Sequence, residues 1–137
     1  MISIIVMAHG DLAQAMLKTA KDISGLDVTN VYTFSAACEN DCSLICRQIE
    51  NIFNDSADGA LVLSDMFGGS GANVPLQAAK CRPGVNIITG LNLSMLMSAL
   101  QYRANMNVDE LAEKVEAEGK RAVINVSKTL QGKKECR

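Results

Sequence analysis

The chain contains no tryptophan, a single histidine and two prolines, and aromatic residues occupy only 4% of its 137 positions. Without aromatics there is no platform on which bases could stack, and with 13 Lys and Arg against 15 Asp and Glu the net charge is −2. The basic residues cluster only in the last ten positions, Lys128 to Arg137. Nucleic-acid binding is disfavoured on both counts. No apolar run approaches the roughly 20 residues of a membrane-spanning helix. The N-terminus lacks the basic region and small-residue cleavage site of a secretory signal. The expectation is a soluble, cytoplasmic protein with no direct membrane insertion.

What is present is an ordinary globular composition, 48% hydrophobic and 20% charged, whose core must be built from Leu, Ile, Val, Ala and Met. The length suits one domain spanning residues 1–137, with a tail from about 128. Five cysteines are an odd number, and Cys38, Cys42 and Cys46 fall at i, i+4 and i+8, along one stripe of a helix. As a metal or redox site this spacing lacks a C-x-x-C pair and a nearby histidine; as half-buried thiols in a reducing compartment it needs nothing further. No metal site is expected.

Ile2 to Met7 is a short, nearly continuous apolar run, as in a strand covered on both faces. Asp11 can cap a helix starting at Leu12, and Gly25 suits the position just past its end. Val31 to Ser35 alternates as a second strand, and Asp41 opens a helix carrying Leu44, Ile45, Ile49, Ile52 and Phe53. Gly59 to Asp65 reads as a third strand ending on a carboxylate. In the stretch that follows, Gly68, Gly69 and Gly71 permit a tight loop, Ser70 or Asn73 can cap a helix, and Pro75 suits its first turn. Val85 to Thr89 makes a fourth strand that passes through Gly90 and Asn92 into a helix with Leu93, Leu96, Met97 and Leu100. Val108 to Lys120 is a charged amphipathic helix, and Ala122 to Val126 can supply a last strand.

Strands alternating with helices argue for an α/β fold with a mainly parallel sheet and helices on both faces, since parallel neighbours need crossover connections. Ligands in such sheets bind beyond the carboxyl ends of the strands, where His9-Gly10, Asp65 to Gly71 and Gly90 to Asn92 converge. His9 falls at the first strand-to-helix junction, where Gly10 allows close backbone approach and free helix N–H groups favour an anion. Asp65 occupies the equivalent junction of the third strand. If strands one and three are neighbours, its carboxylate can hold one ring nitrogen protonated and leave the other a free lone pair; alternatively Asp65 caps the following loop. Ser70 can donate to anionic oxygens or cap the next helix.

Competing motifs fail. "GGSGAN" has no Gly-Lys-Ser/Thr and does not complete G-x-G-x-x-G. Gly68-x-Ser70-x-Ala72 approaches a hydrolase nucleophile elbow, but the histidine precedes the serine and the acid, the reverse of that fold's order. A phospho-aspartate receiver needs several acids after strand one, where His9 stands with only Asp11 close by.

"IIVMAHGDLAQAM", "LVLSDMFGGSGAN" and "ITGLNLSML", in this order and spacing, resemble the mannose-family enzyme IIA domains of the bacterial phosphoenolpyruvate-dependent sugar phosphotransferase system. The likeness runs from about Ile2 to Val126. It implies a phosphotransferase component in which His9 is the phosphoacceptor, taking a phosphoryl group from the phosphocarrier protein HPr and passing it to an enzyme IIB partner, with the membrane transporter reached through IIB. It implies that Asp65 orients the imidazole and that Gly10, Gly68, Gly69 and Ser70 surround the phosphate, without a cofactor. It further implies a homodimer with a five-stranded sheet of order 2-1-3-4-5, whose last strand is antiparallel and exchanged between subunits. Gly71 stands where the family usually has proline. The multiphosphoryl subunit of dihydroxyacetone kinase is a near relative, but it typically reads His-Ser where this chain has His9-Gly10. A non-catalytic anion-binding module on the same scaffold is the contrasting reading. Met66 and Phe67, beside Asp65, either join a transient docking surface or pack against the sheet.

Overall fold

The computed structural model describes residues 1–36, 42–66, 78–79 and 82–132. Strands β1 (Ser3–Ala8), β2 (Val31–Ser35), β3 (Ala60–Ser64) and β4 (Val85–Thr89) are interleaved with helices α1 (Leu12–Ser24) and α2 (Cys42–Asp55). Helices α3 (Leu93–Tyr102), α4 (Val108–Arg121) and the short α5 (Val126–Gln131) follow. The strands form one sheet of order β2-β1-β3-β4, parallel throughout, as expected from the alternation of elements.

The two kinds of strand pattern correspond to two positions in the sheet. β1 and β3, which read as unbroken apolar runs, are the inner strands, and every residue in them is buried. β2 and β4 lie at the edges and are only partly buried. Alternate residues of the inner strands feed opposite cores, because successive side chains point to opposite faces. Ile4, Val6, Leu61 and Leu63 pack under Leu96, Ala99, Leu111 and Val115 of α3 and α4. Ile5, Met7 and Val62 pack with Ile49 and Phe53 of α2. Each fully buried aliphatic side chain contributes on the order of 1.5–3 kcal/mol, so the sandwich is anchored at its two central strands.

Helix ends follow local chemistry. α1 closes on Gly25 in the left-handed region, its N–H donating to the Lys21 carbonyl. α4 opens with a capping box, in which the Asn107 side chain accepts from the Glu110 N–H while the Glu110 carboxylate accepts from the Asn107 N–H. At α1 the expected side-chain cap is absent. Asp11 occupies the cap position at φ −94°, ψ 9° and makes no side-chain hydrogen bond there. Those dihedrals depart from the extended conformation in which a capping carboxylate reaches back to the helix amides.

A second correction concerns the sheet's size, which is four strands and not five among the described residues. Ala122 to Val126 does not form the expected strand. Ala122 still caps α4, its N–H donating to the Glu118 carbonyl, and Val126 already begins α5. A strand exists only against a ladder partner, and among the described residues this segment lies on none. The expected Asp41 cap lies outside the described residues, as does most of the helix expected beyond Pro75, of which Ala78 and Ala79 are described and helical.

Close packing at the base of the sheet fixes one glycine. Gly59 has φ +92°, and a Cβ there would stand 2.6 Å from the Gly84 carbonyl oxygen, which accepts the Ala60 N–H at 2.9 Å. Gly59→Ala is expected to destabilise the fold by about 1–3 kcal/mol, read from denaturant midpoints. An unchanged midpoint would contradict this packing.

Candidate functional site

Parallel pairing of β1 with β3 places Met7 opposite Ser64, so the residues that follow emerge side by side at the carboxyl end of the sheet. The ladder continues one step further, with the Asp65 N–H donating to the Met7 carbonyl at 3.3 Å. On the other flank of β1 the Ala36 N–H donates to the Ala8 carbonyl at 2.8 Å. His9 leaves the strand directly above this framework. Gly10, at φ +57°, turns the chain into α1 in a conformation that other residues rarely adopt.

Asp65 binds the histidine twice through one oxygen. Its Oδ2 accepts the backbone N–H of His9 at 3.0 Å and lies 2.8 Å from the ring Nδ1. The other oxygen, Oδ1, accepts the N–H of Met66 at 2.8 Å. The carboxylate is therefore held by two backbone amides before it meets the imidazole, which fixes its position independently of the ring. An ionised carboxylate only accepts hydrogen bonds, so the Nδ1–Asp65 contact requires the proton on Nδ1. In the neutral ring Nε2 then carries the lone pair, and among the described residues nothing is bonded to it. The His9 side chain is 48% exposed whereas that of Asp65 is only 12% exposed. The arrangement is a nucleophilic nitrogen presented to solvent on a ring steered by a nearly buried acid.

Burial by itself raises the Asp65 pKa, but hydrogen bonds from the His9 backbone, the His9 ring and the Met66 backbone, with the charge of His9, outweigh it. The net effect is a value below the ordinary 3.8. The carboxylate is thus preferentially ionised in the folded protein, as its acceptor role demands.

Of the residues singled out in the sequence, the structure brings His9, Gly10 and Asp65 together. Gly68, Gly69 and Ser70 lie outside the described residues, as do Phe67 and Gly71. Met66 is 59% exposed, so it is not packed against the sheet. Asn92 serves α3, its side chain accepting from the Met95 N–H at 2.9 Å and donating to the Gly119 carbonyl at 3.1 Å. Cys46 is half-buried in α2, and Cys38 lies outside the described residues. Among the described residues no group of three or more potential ligands is placed to hold a metal ion. Sequence reasoning missed the two backbone amides that hold Asp65. No residue type marks them, since any non-proline residue supplies an N–H.

With this geometry in place, comparison with known proteins is decisive. A family model described as "PTS system fructose IIA component", for the mannose-type EIIA family, matches residues 3–116. The chain belongs to this EIIA family. It is 29% identical over 103 residues to the mannose-specific EIIAB component of the phosphotransferase system (PTS) of Escherichia coli K12, covering 74% of this chain and 32% of that protein. The chain thus spans about a third of the length of that relative. It is 25% identical over 118 residues to the sorbose-specific EIIA component of Klebsiella pneumoniae, covering 85% of this chain and 86% of that one. Among solved structures, the crystal structure of phosphotransferase system component EIIA from Streptococcus agalactiae superposes with a TM-score of 0.83 at 27% identity, covering 93% of this chain and 99% of that one. The EIIA assignment and the parallel α/β sandwich expected from the three quoted segments are both borne out.

Two measurements check the His9–Asp65 geometry. Ring ¹⁵N shifts at neutral pH are expected to show the Nδ1–H tautomer in the native chain and a shift toward the mixed or Nε2–H form in Asp65→Asn. Because the folded-state pKa of Asp65 is depressed, the stability its carboxylate contributes is fully present above about 3.8 and disappears as pH falls through the lower folded value. The native chain should therefore lose stability relative to Asp65→Asn only in that acidic window, as read by urea midpoints across pH. A difference that vanished nearer neutrality would contradict it.

Proposed function

We propose that this EIIA chain carries a phosphoryl group on His9 Nε2, accepting it from phospho-HPr in the cytoplasm and passing it to an enzyme IIB component. The observation that carries this reading is the 2.8 Å contact between Nδ1 and Asp65 beneath an exposed ring. In the transfer, the Nε2 lone pair attacks phosphorus in line as the donor's P–N bond breaks. The donor imidazole leaves with the electron pair. No proton has to move on His9, because Nδ1 keeps its hydrogen.

Bonding at Nε2 makes the ring cationic, and the Asp65 carboxylate lies where that charge develops. It serves as the acid of a hydrolase triad does, by orientation and charge stabilisation and not by taking the proton. Phosphoryl transfer through a loose transition state depends chiefly on positioning and electrostatics, which is what the fixed carboxylate supplies. Gly68, Gly69 and Ser70 are proposed to surround the phosphoryl oxygens. Partners that come and go need a small apolar contact. The exposed Met66 and Leu12 flank the histidine, and a shallow groove of about 250 Å³ between Leu12, Met16 and Leu93 continues from it.

The chain is further proposed to act as a homodimer in which Ala122–Val126 of each copy adds an antiparallel strand to β4 of the other. Val123 and Ile124 are 83% and 62% exposed, an apolar pair that nothing among the described residues covers. The outer edge of β4 is unpaired among the described residues, and a groove of about 520 Å³ runs beside it past Ile87, Ile88, Met95 and Lys120.

Incubation with phosphoenolpyruvate, enzyme I and HPr is expected to label the chain with an acid-labile, alkali-stable phosphate that His9→Ala abolishes. Asp65→Asn should slow labelling by roughly 10²-fold or more, the scale of a lost charge-stabilising contact. Label surviving in His9→Ala would refute the assignment. For the dimer, sedimentation equilibrium should give twice the chain mass, falling to one chain mass in Ile124→Asp. A native monomer would remove the exchanged strand.

A further inference from the structure

The His9–Asp65 pair supplies a nucleophile but no proton for a departing group. Nδ1 and Asp65 Oδ2 share one hydrogen across 2.8 Å, and the carboxylate is otherwise spent on the amides of His9 and Met66. Its pKa lies below the ordinary value, so it is an anion that accepts and has nothing to donate near neutrality. A phosphoryl donor that reacts here must therefore carry a leaving group that departs unprotonated. A phosphohistidine meets that condition. So does an acyl phosphate, whose carboxylate is a weak base and a stable anion. A phosphate monoester does not, because its alkoxide needs a proton to leave.

Access is equally permissive. The His9 side chain is 48% exposed, and the helix that starts just beyond it is open at its entrance. Asp11 makes no side-chain bond to the α1 amides and the first turn of α1 holds no acid, whereas α3, α4 and α5 each open on an asparagine side chain that accepts a helix N–H. The amides that follow the ring are thus claimed by no side-chain cap, and oxygens of a small anion can approach them. The ring and its acid are both set by adjacent inner strands, so the chemistry itself asks nothing of a second protein. What a protein donor adds is positioning.

We propose that His9 is also charged directly by small acyl phosphates, with no partner protein. In this step Nε2 attacks phosphorus as the bond from phosphorus to the acyl oxygen breaks, and the carboxylate leaves with the electron pair. The ring then carries the phosphoryl group on Nε2 and its original hydrogen on Nδ1, and its positive charge faces Asp65. No proton is exchanged. The inference rests on the phosphocarrier reading of His9 and widens its donors. A free donor forgoes the orientation that docking provides, so direct charging is slower than transfer from phospho-HPr at matched concentration, by roughly 10²-fold or more.

The test follows ³¹P and ring ¹⁵N resonances of the full chain during incubation with acetyl phosphate and, separately, glycerol phosphate, with phospho-HPr as a parallel donor. Acetyl phosphate is expected to give a phosphohistidine signal coupled to Nε2, and glycerol phosphate none. Asp65→Asn should slow the reaction at least roughly tenfold, as should unfolding the native chain in urea, and His9→Ala should give no signal. The urea arm keeps the test decisive should Asp65→Asn fold poorly. Absence of signal from acetyl phosphate would overturn the inference, and the carrier reading stands if phospho-HPr still labels the chain. Labelling by glycerol phosphate, phosphate on Nδ1, a rate unchanged on unfolding, or label in His9→Ala would overturn it as well. Labelling by acetyl phosphate in a chain that phospho-HPr leaves uncharged would support the direct route and remove the carrier role.

Discussion

The hydrogen bond between His9 Nδ1 and Asp65 depends on β1 and β3 being hydrogen-bonded neighbours, although 56 residues separate the two side chains. This adjacency is the constraint from which the rest follows. β1 enters the middle of the sheet, the chain crosses over to β2 on one flank, and it returns to place β3 on the other. Both inner strands then end at the same height, one on an imidazole and the next on a carboxylate. Because the inner strands are buried on both faces and tied to each other along five register pairs, the acid and the ring inherit the rigidity of the most tightly packed part of the molecule. A loop-borne pair would have to spend side-chain and backbone entropy to reach the same geometry.

The carboxylate is over-determined in a way that matters chemically. Two backbone amides and a ring nitrogen converge on its two oxygens, and their combined effect overcomes the desolvation that would otherwise favour the neutral acid. The ring is consequently oriented by something that does not need the ring for its own position. When the ring gains a substituent or a charge, the acid is already in place, so little reorganisation accompanies the change.

Much of this was readable beforehand, for physical reasons that also explain what was not. Continuous apolar runs at Ile2–Met7 and Gly59–Asp65 announced strands buried in the sheet, and the alternating Val31–Ser35 announced a further strand, because strand burial is written directly into side-chain hydrophobicity. His9 and Asp65 were legible because their chemistry is rare and their junction positions are fixed by the topology. The amides of His9 and Met66 were not legible, since backbone donors leave no trace in residue type. Asp11 satisfied the compositional rule for a helix cap and yet does not cap, because capping depends on dihedrals that Gly10 and His9 help to set. Ala122–Val126 carries strand-like residues, and composition alone cannot say whether a partner edge is within reach. The burial of Arg103, at the end of α3, was not legible either, since it arises from the approach of the α1–β2 connection, a contact 76 positions away in sequence.

The all-parallel sheet has one further consequence. Every strand points the same way, so the carboxyl ends gather the ring and its acid at one pole, while the amino ends gather Met1, Asp58 and the tight Gly59–Gly84 contact at the other. Five-residue strands set these poles on the order of 17 Å apart, beyond the reach of shared side chains. The rim around the imidazole can therefore change without disturbing the packing that keeps the keel of the molecule as it is.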